Sequence, residues 1–178
     1  LGALPPSCGL PPELFYQDEG ERAVLLAVIH YLHVAIAVIW AGSTVFVGLA
    51  IWPMLARMPG EQAVALFTRL RPVVAGILGS MAGLTYLLGG FRAWLGGGVS
   101  GWGDLVAPYG LLVITAVVVM MAIESTGGRL RRQLNGLIQT PEAFVAHAAI
   151  AARRSGLIQL ALLLGLLAIM VTLGLALY

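Results

Sequence analysis

His30 and His33 stand three residues apart in a long apolar run. On a helix that spacing puts both imidazoles on one face, within about 60° of each other. Ionisable side chains inside a membrane-length run are functional candidates by default. Trp40, seven residues beyond His33, returns to nearly the same face, so the stripe reads His30, His33, Ala37, Trp40, Thr44. Imidazole is the commonest metal ligand and a frequent haem ligand. Two rings at this spacing can embrace one ion. They cannot take opposite sides of one haem plane, so a haem uses one of them and finds any second ligand elsewhere. Met170 lies in the last apolar run, eight residues before its end, at a depth comparable with the two histidines. A thioether suits Cu(I) or the sixth position of a haem. Each residue also has a plainer reading: a histidine near an interface can be a polar interface residue, and Met170 is more simply core packing.

Other residue types add little chemistry. His147 precedes the last run at the opposite side of the membrane from His30, so it cannot share a metal with it in one chain, and it reads as a surface residue. Met81 and Met120 fall nearer the middle or inner side. Cys8 is the single cysteine, which excludes an intrachain disulfide. Glu124 reads as a helix-boundary charge rather than a proton relay. A phosphate-binding loop, CxxC, HExxH and a Ser/His/Asp constellation are all missing. So is the paired-histidine pattern of a two-haem cytochrome b.

The elements that must position these residues follow from composition. Of the 178 residues 60% are apolar and 10% charged, and mean hydropathy is +0.95. Soluble domains carry about 25% charged residues, so the chain reads as an all-α integral membrane protein. A bilayer core needs about 20 helical residues, and four runs compete for that role: 23–52, 72–94, 108–123 and 155–178, the third being short. No run alternates with period 2, which excludes a barrel. The sequence therefore predicts a four-helix transmembrane bundle over 23–178, preceded by an irregular polar arm over 1–22 that is rich in proline and acid. The chain starts at Leu1 rather than Met, which fits a processed or trimmed end, and the arm lacks the basic region of an intact signal peptide.

All ten basic residues are Arg, and eight of them lie in two connections: Arg57, Arg69 and Arg71 in one, Arg129, Arg131, Arg132, Arg153 and Arg154 in the other. The positive-inside rule places both in the cytoplasm and both termini outside, in a bacterial-type inner membrane. This placement makes the arginines topology signals rather than a nucleic-acid surface. Thr140-Pro141-Glu142 is a helix-start signature, which predicts an interfacial cytoplasmic helix over Ala143–Arg154 before the fourth span. The glycines at 96–98, 101 and 103 make a flexible outer connection, with Trp94 and Trp102 suited to the headgroup layer. Gly76-x-x-x-Ser80 and Gly79-x-x-x-Gly83 allow close helix approach, read here as packing inside the chain in preference to a homo-oligomer contact.

Leu32-His33-x6-Trp40-x-Gly42, then Pro53 and Leu55-Ala56-Arg57-Met58-Pro59, resembles the CopD-like membrane proteins of the copper-resistance D type. Phe67-Thr68-Arg69-Leu70 before a glycine-bearing helix, and Tyr109-Gly110-Leu111-Leu112 after the outer connection, extend the resemblance over residues 32 to 132. Gly42-Ser43 stands where that family has Gly-Gly. The His33…Trp40 element is also similar to haem-binding membrane proteins of the HemJ type, without their second-helix His and their Lys. The resemblance implies copper handling, for which the residues offer a transport path in the outer half using His30, His33 and Met170. The residues themselves point first to a haem b electron-transfer subunit, with His33 or His30 as ligand in the outer half, Trp40 lining the pocket and Met170 as possible partner. A third expectation is a cofactor-free anchor or accessory subunit of a respiratory or photosynthetic complex. All three imply a lipid bilayer and, for the first and third, other membrane or extracytoplasmic redox subunits.

Overall fold

The computed structural model describes residues 12–177. Among them there is no strand, and four helical stretches are long and apolar enough to cross a membrane. Helix α1 (Pro12–Phe46) passes into a π-helical segment (Val47–Ile51) and a short α2 (Trp52–Leu55). Then come α3 (Gly60–Leu95), α4 (Pro108–Gly136) and α5 (Pro141–Gly174). A 3-10 turn, Trp102–Val106, lies between α3 and α4. Lengths of 29 to 36 residues for the four stretches exceed the span requirement, so each projects beyond an apolar core.

The π segment has a local cause. Pro53 has no N–H to donate and its ring crowds the carbonyl of the preceding turn. The chain widens there, and the Trp52 N–H reaches back five residues to the Val47 carbonyl. Pro59, extended at φ −54 and ψ 139, ends the turn and starts α3. Gly97, at φ +72, ends the reversal after α3 in a conformation that glycine adopts without strain.

α1 lies along α3 and α4 along α5, and the pairs join where α5 packs on the π segment and α2. The junction is close because Gly48 faces Gly156: a Cβ on Gly156 would stand 3.0 Å from the Gly48 carbonyl oxygen. Gln159 is buried in the same layer, its Nε2 donating to the Ile123 carbonyl at 3.4 Å.

Two apolar cores result. The first, at the end bearing the eight arginines, joins Trp52, Leu55, Phe67, Leu134, Phe144 and Ala148. Phe67 stacks edge-on to Phe144 at 5.2 Å, and Trp52 lies 5.9 Å from Phe67. The second, mid-bundle, gathers Trp40, Leu78, Ala82, Met120, Ile123 and Leu163.

Several expectations change. Residues 12–22, expected in the irregular arm, are helical and run on into the first span. Cys8 lies outside the described residues. No separate interfacial helix precedes the fourth span. Residues 143–154 continue unbroken into α5, because Phe144 and Ala148 extend its buried face down to the first core. Thr140 takes the capping position, yet its hydroxyl donates backward to the Leu137 carbonyl instead of capping α5. The expected third span runs on to Gly136, held by Leu130 and Leu134 in the same core. The small residues of α3 do not pack inside the chain: Gly76, Gly79 and Gly83 are exposed, with open space where a Cβ would sit.

Candidate functional site

The histidine stripe of α1 faces α3, as the spacing requires, but the two rings are held differently. His33 is half-buried, and its Nδ1 lies 3.1 Å from the Thr85 carbonyl oxygen. A carbonyl only accepts, so Nδ1 carries the ring proton and Nε2 keeps its lone pair. A metal-ligating imidazole ordinarily donates its other ring N–H to a carbonyl or carboxylate, which fixes the tautomer and the ring's orientation. Gly89 makes the approach possible: a Cβ there would stand 2.9 Å from His33 Cε1.

His30 is in the opposite state. Arg92 Nε donates to its Nδ1 at 2.8 Å. An arginine N–H only donates, so His30 Nδ1 accepts and the proton sits on Nε2. Neither nitrogen of His30 then offers a free lone pair. Of two histidines that spacing alone leaves equivalent, only His33 is in the ligand tautomer.

Trp40 belongs to another environment. It is 1% exposed, covered by the mid-bundle core, and has no open side for a ligand. Its Nε1–H donates to Glu124 Oε1 at 2.7 Å, while Arg131 Nη2 stands 3.9 Å from Oε2. Glu124 is thus more than a boundary charge: it ties α1 to α4. Thr44 continues the stripe, buried, with its hydroxyl returned to the Trp40 carbonyl. Met170 is 38% exposed on α5, outside both cores, on the helix pair opposite to that of His33. His147, 3.4 Å from Gln133 Oε1, is a surface contact between α4 and α5 at the arginine end.

Thr85, Gly89, Arg92 and Glu124 escape a sequence reading. Thr85 acts through its backbone, which leaves no residue signature. Arg92 and Glu124 find partners on other helices, and only the packing order reveals them. Gly89 alone leaves a trace, as half of a Gly-Gly pair inside an apolar helix.

The donor set can be tested against the expected groups. Among the described residues no group of three His, Cys, Asp or Glu could hold a metal ion. Of the three residues expected to bind copper, His30 bonds Arg92 and His33 bonds the Thr85 carbonyl, both on α3, while Met170 lies on α5. One oriented imidazole with an unprotonated Nε2 is the donor that would hold a haem iron. Comparisons with family models, curated proteins and solved structures give no match to this chain.

Proposed function

We propose that the chain spans a bacterial-type inner membrane four times, with the histidine end outside and the arginine end in the cytoplasm. In this reading it is a haem b-binding electron-transfer subunit, and His33 Nε2 would hold the group in the outer half. The carrying observation is the bond between His33 Nδ1–H and the Thr85 carbonyl, which orients the ring and frees Nε2. Gly89 keeps the ring seated against α3. The bound iron would supply one-electron transfer.

The test is a reduced-minus-oxidised absorption spectrum of the protein in mild detergent. A haem b spectrum that His33→Ala abolishes and His30→Ala retains is the expected result. Full haem content in His33→Ala removes the assignment. Copper by elemental analysis without a Soret band moves the reading to CopD-like copper handling.

A second reading, a cofactor-free anchor or accessory subunit, is favoured by a different observation. The small-residue face of α3 is unpacked at Gly76, Gly79 and Gly83, which suits a bundle that works among other helices. It predicts a flat spectrum and co-purification with partner chains.

A further inference from the structure

Arg92 sits in the last turn of α3, at the outer end of its seam with α1. An arginine at a membrane boundary is ordinarily satisfied by extending its head to water, and the carbonyl end of a helix favours a cation. Neither effect requires the guanidinium to be held in one plane. Here it is held: Nε is tied across the seam to His30 Nδ1 at 2.8 Å. His30 is neutral in this tautomer, so the bond orients Arg92 without neutralising it. The two terminal nitrogens have no acceptor among the described residues. Asp104, the carboxylate of the adjoining connection, is already taken by Ser100 and Gly101. What remains is an oriented cation presenting its end-on pair of N–H groups, about one helical turn outward from His33. That fork matches the two oxygens of a carboxylate or phosphate.

We propose that Arg92, oriented by His30, is an anion-binding residue that takes a carboxylate or phosphate group through its terminal nitrogens at the outer end of the α1–α3 seam. Two sources carry this chemistry. One is a haem propionate, and that arm rests on the functional reading above. The other is the phosphate of an anionic lipid, which does not.

The experiment titrates full-length protein in detergent with haemin and with haemin dimethyl ester, which lacks free carboxylates, following the Soret band. Wild type, Arg92→Gln and Arg92→Lys are compared. The propionate arm predicts that wild type prefers haemin to the ester by roughly tenfold or more. Arg92→Gln removes the preference while binding the ester unchanged, which also shows that it folds. Arg92→Lys restores part of it. In parallel, native mass spectrometry after release from mixed phosphatidylglycerol and phosphatidylcholine vesicles reads the lipid arm. Retention of phosphatidylglycerol by wild type and its loss in Arg92→Gln assigns the phosphate. If wild type binds no haemin yet retains phosphatidylglycerol through Arg92, the haem reading falls and the anion site stands. If Arg92→Gln matches wild type in both arms, the anion site is overturned.

Discussion

At the arginine-bearing end, Trp52, Phe67 and Phe144 close ring on ring, and the void beside them, lined by Val47, Leu55, Val74 and Arg131, is only ≈ 10 Å³. At the other end of the same helices, His30 is exposed, His33 is half-buried, and the ring of His33 rests on a glycine. The first region joins the π-helical segment, α2, α3, α4 and α5 through large apolar side chains. The second joins two helices through directed polar contacts. In lipid, apolar side chains gain little by merely leaving the solvent, so helices associate through close packing and hydrogen bonds. Stability is therefore expected to reside where packing is dense. The loosely packed end is expected to contribute less.

The strongest way to break this comparison is to truncate a ring in the dense end. Phe67→Ala removes the side chain that touches both Trp52 and Phe144 and should cost about 3 kcal/mol, read as a fall in the thermal or denaturant midpoint in detergent. His33→Ala should leave that midpoint close to wild type. Equal losses from the two substitutions would show that the histidine end also carries the fold.

Trp40→Phe probes the layer between the two ends. It keeps most of the apolar volume but strands Glu124 opposite a hydrocarbon ring, at an expected cost of about 1–3 kcal/mol. Glu124→Gln keeps an acceptor for the indole N–H and should cost less. If Glu124→Gln loses as much as Trp40→Phe, the charge of Glu124 matters as much as the hydrogen bond it accepts.

The uneven legibility of this molecule follows from the same physics. Apolar runs long enough for a bilayer, together with Arg57, Arg69, Arg71 and the later arginines, make the four helices and their antiparallel order readable. The helix ends are less so. Residues 124–136 and 141–154 carry charges that look like loop, yet Leu130, Leu134, Phe144 and Ala148 recur at helical spacing and pack on Phe67's neighbourhood. At the candidate site, spacing places His30 and His33 on one face but leaves them equivalent. What separates them is a backbone carbonyl on α3 and an arginine side chain, and neither partner is encoded within α1.

The small-residue face of α3 sharpens the comparison with an effect of opposite sign. Open space at Gly83 means that Gly83→Ala meets no neighbour, so the better helix former should stabilise the isolated chain by up to ~1 kcal/mol. Gly60→Ala at the dense end should destabilise instead, since a Cβ there would stand 2.8 Å from the Pro141 Cβ. A loss of stability in Gly83→Ala that depends on protein concentration would place a second helix on this face.

The smallest effect belongs to the connection at the open end. The Asp104 carboxylate accepts from the Ser100 hydroxyl and from the Ser100 and Gly101 N–H groups, which hold its pKa below the ordinary 3.8. A depressed folded pKa means that the carboxylate stabilises the turn above the unfolded value, and that this support is lost as pH falls through the folded value. Hydrogen exchange at the Ser100 and Gly101 amides should therefore be slower than in Asp104→Ala only above that range, with the two proteins converging in acid. Asp104 is fully solvent-exposed, so water and salt screen the interaction. The change should stay within the connection and leave the dense end untouched. Acid-induced loosening that reached Phe67 or Phe144 would mean that the two ends are coupled, and that the open end is not free to move on its own.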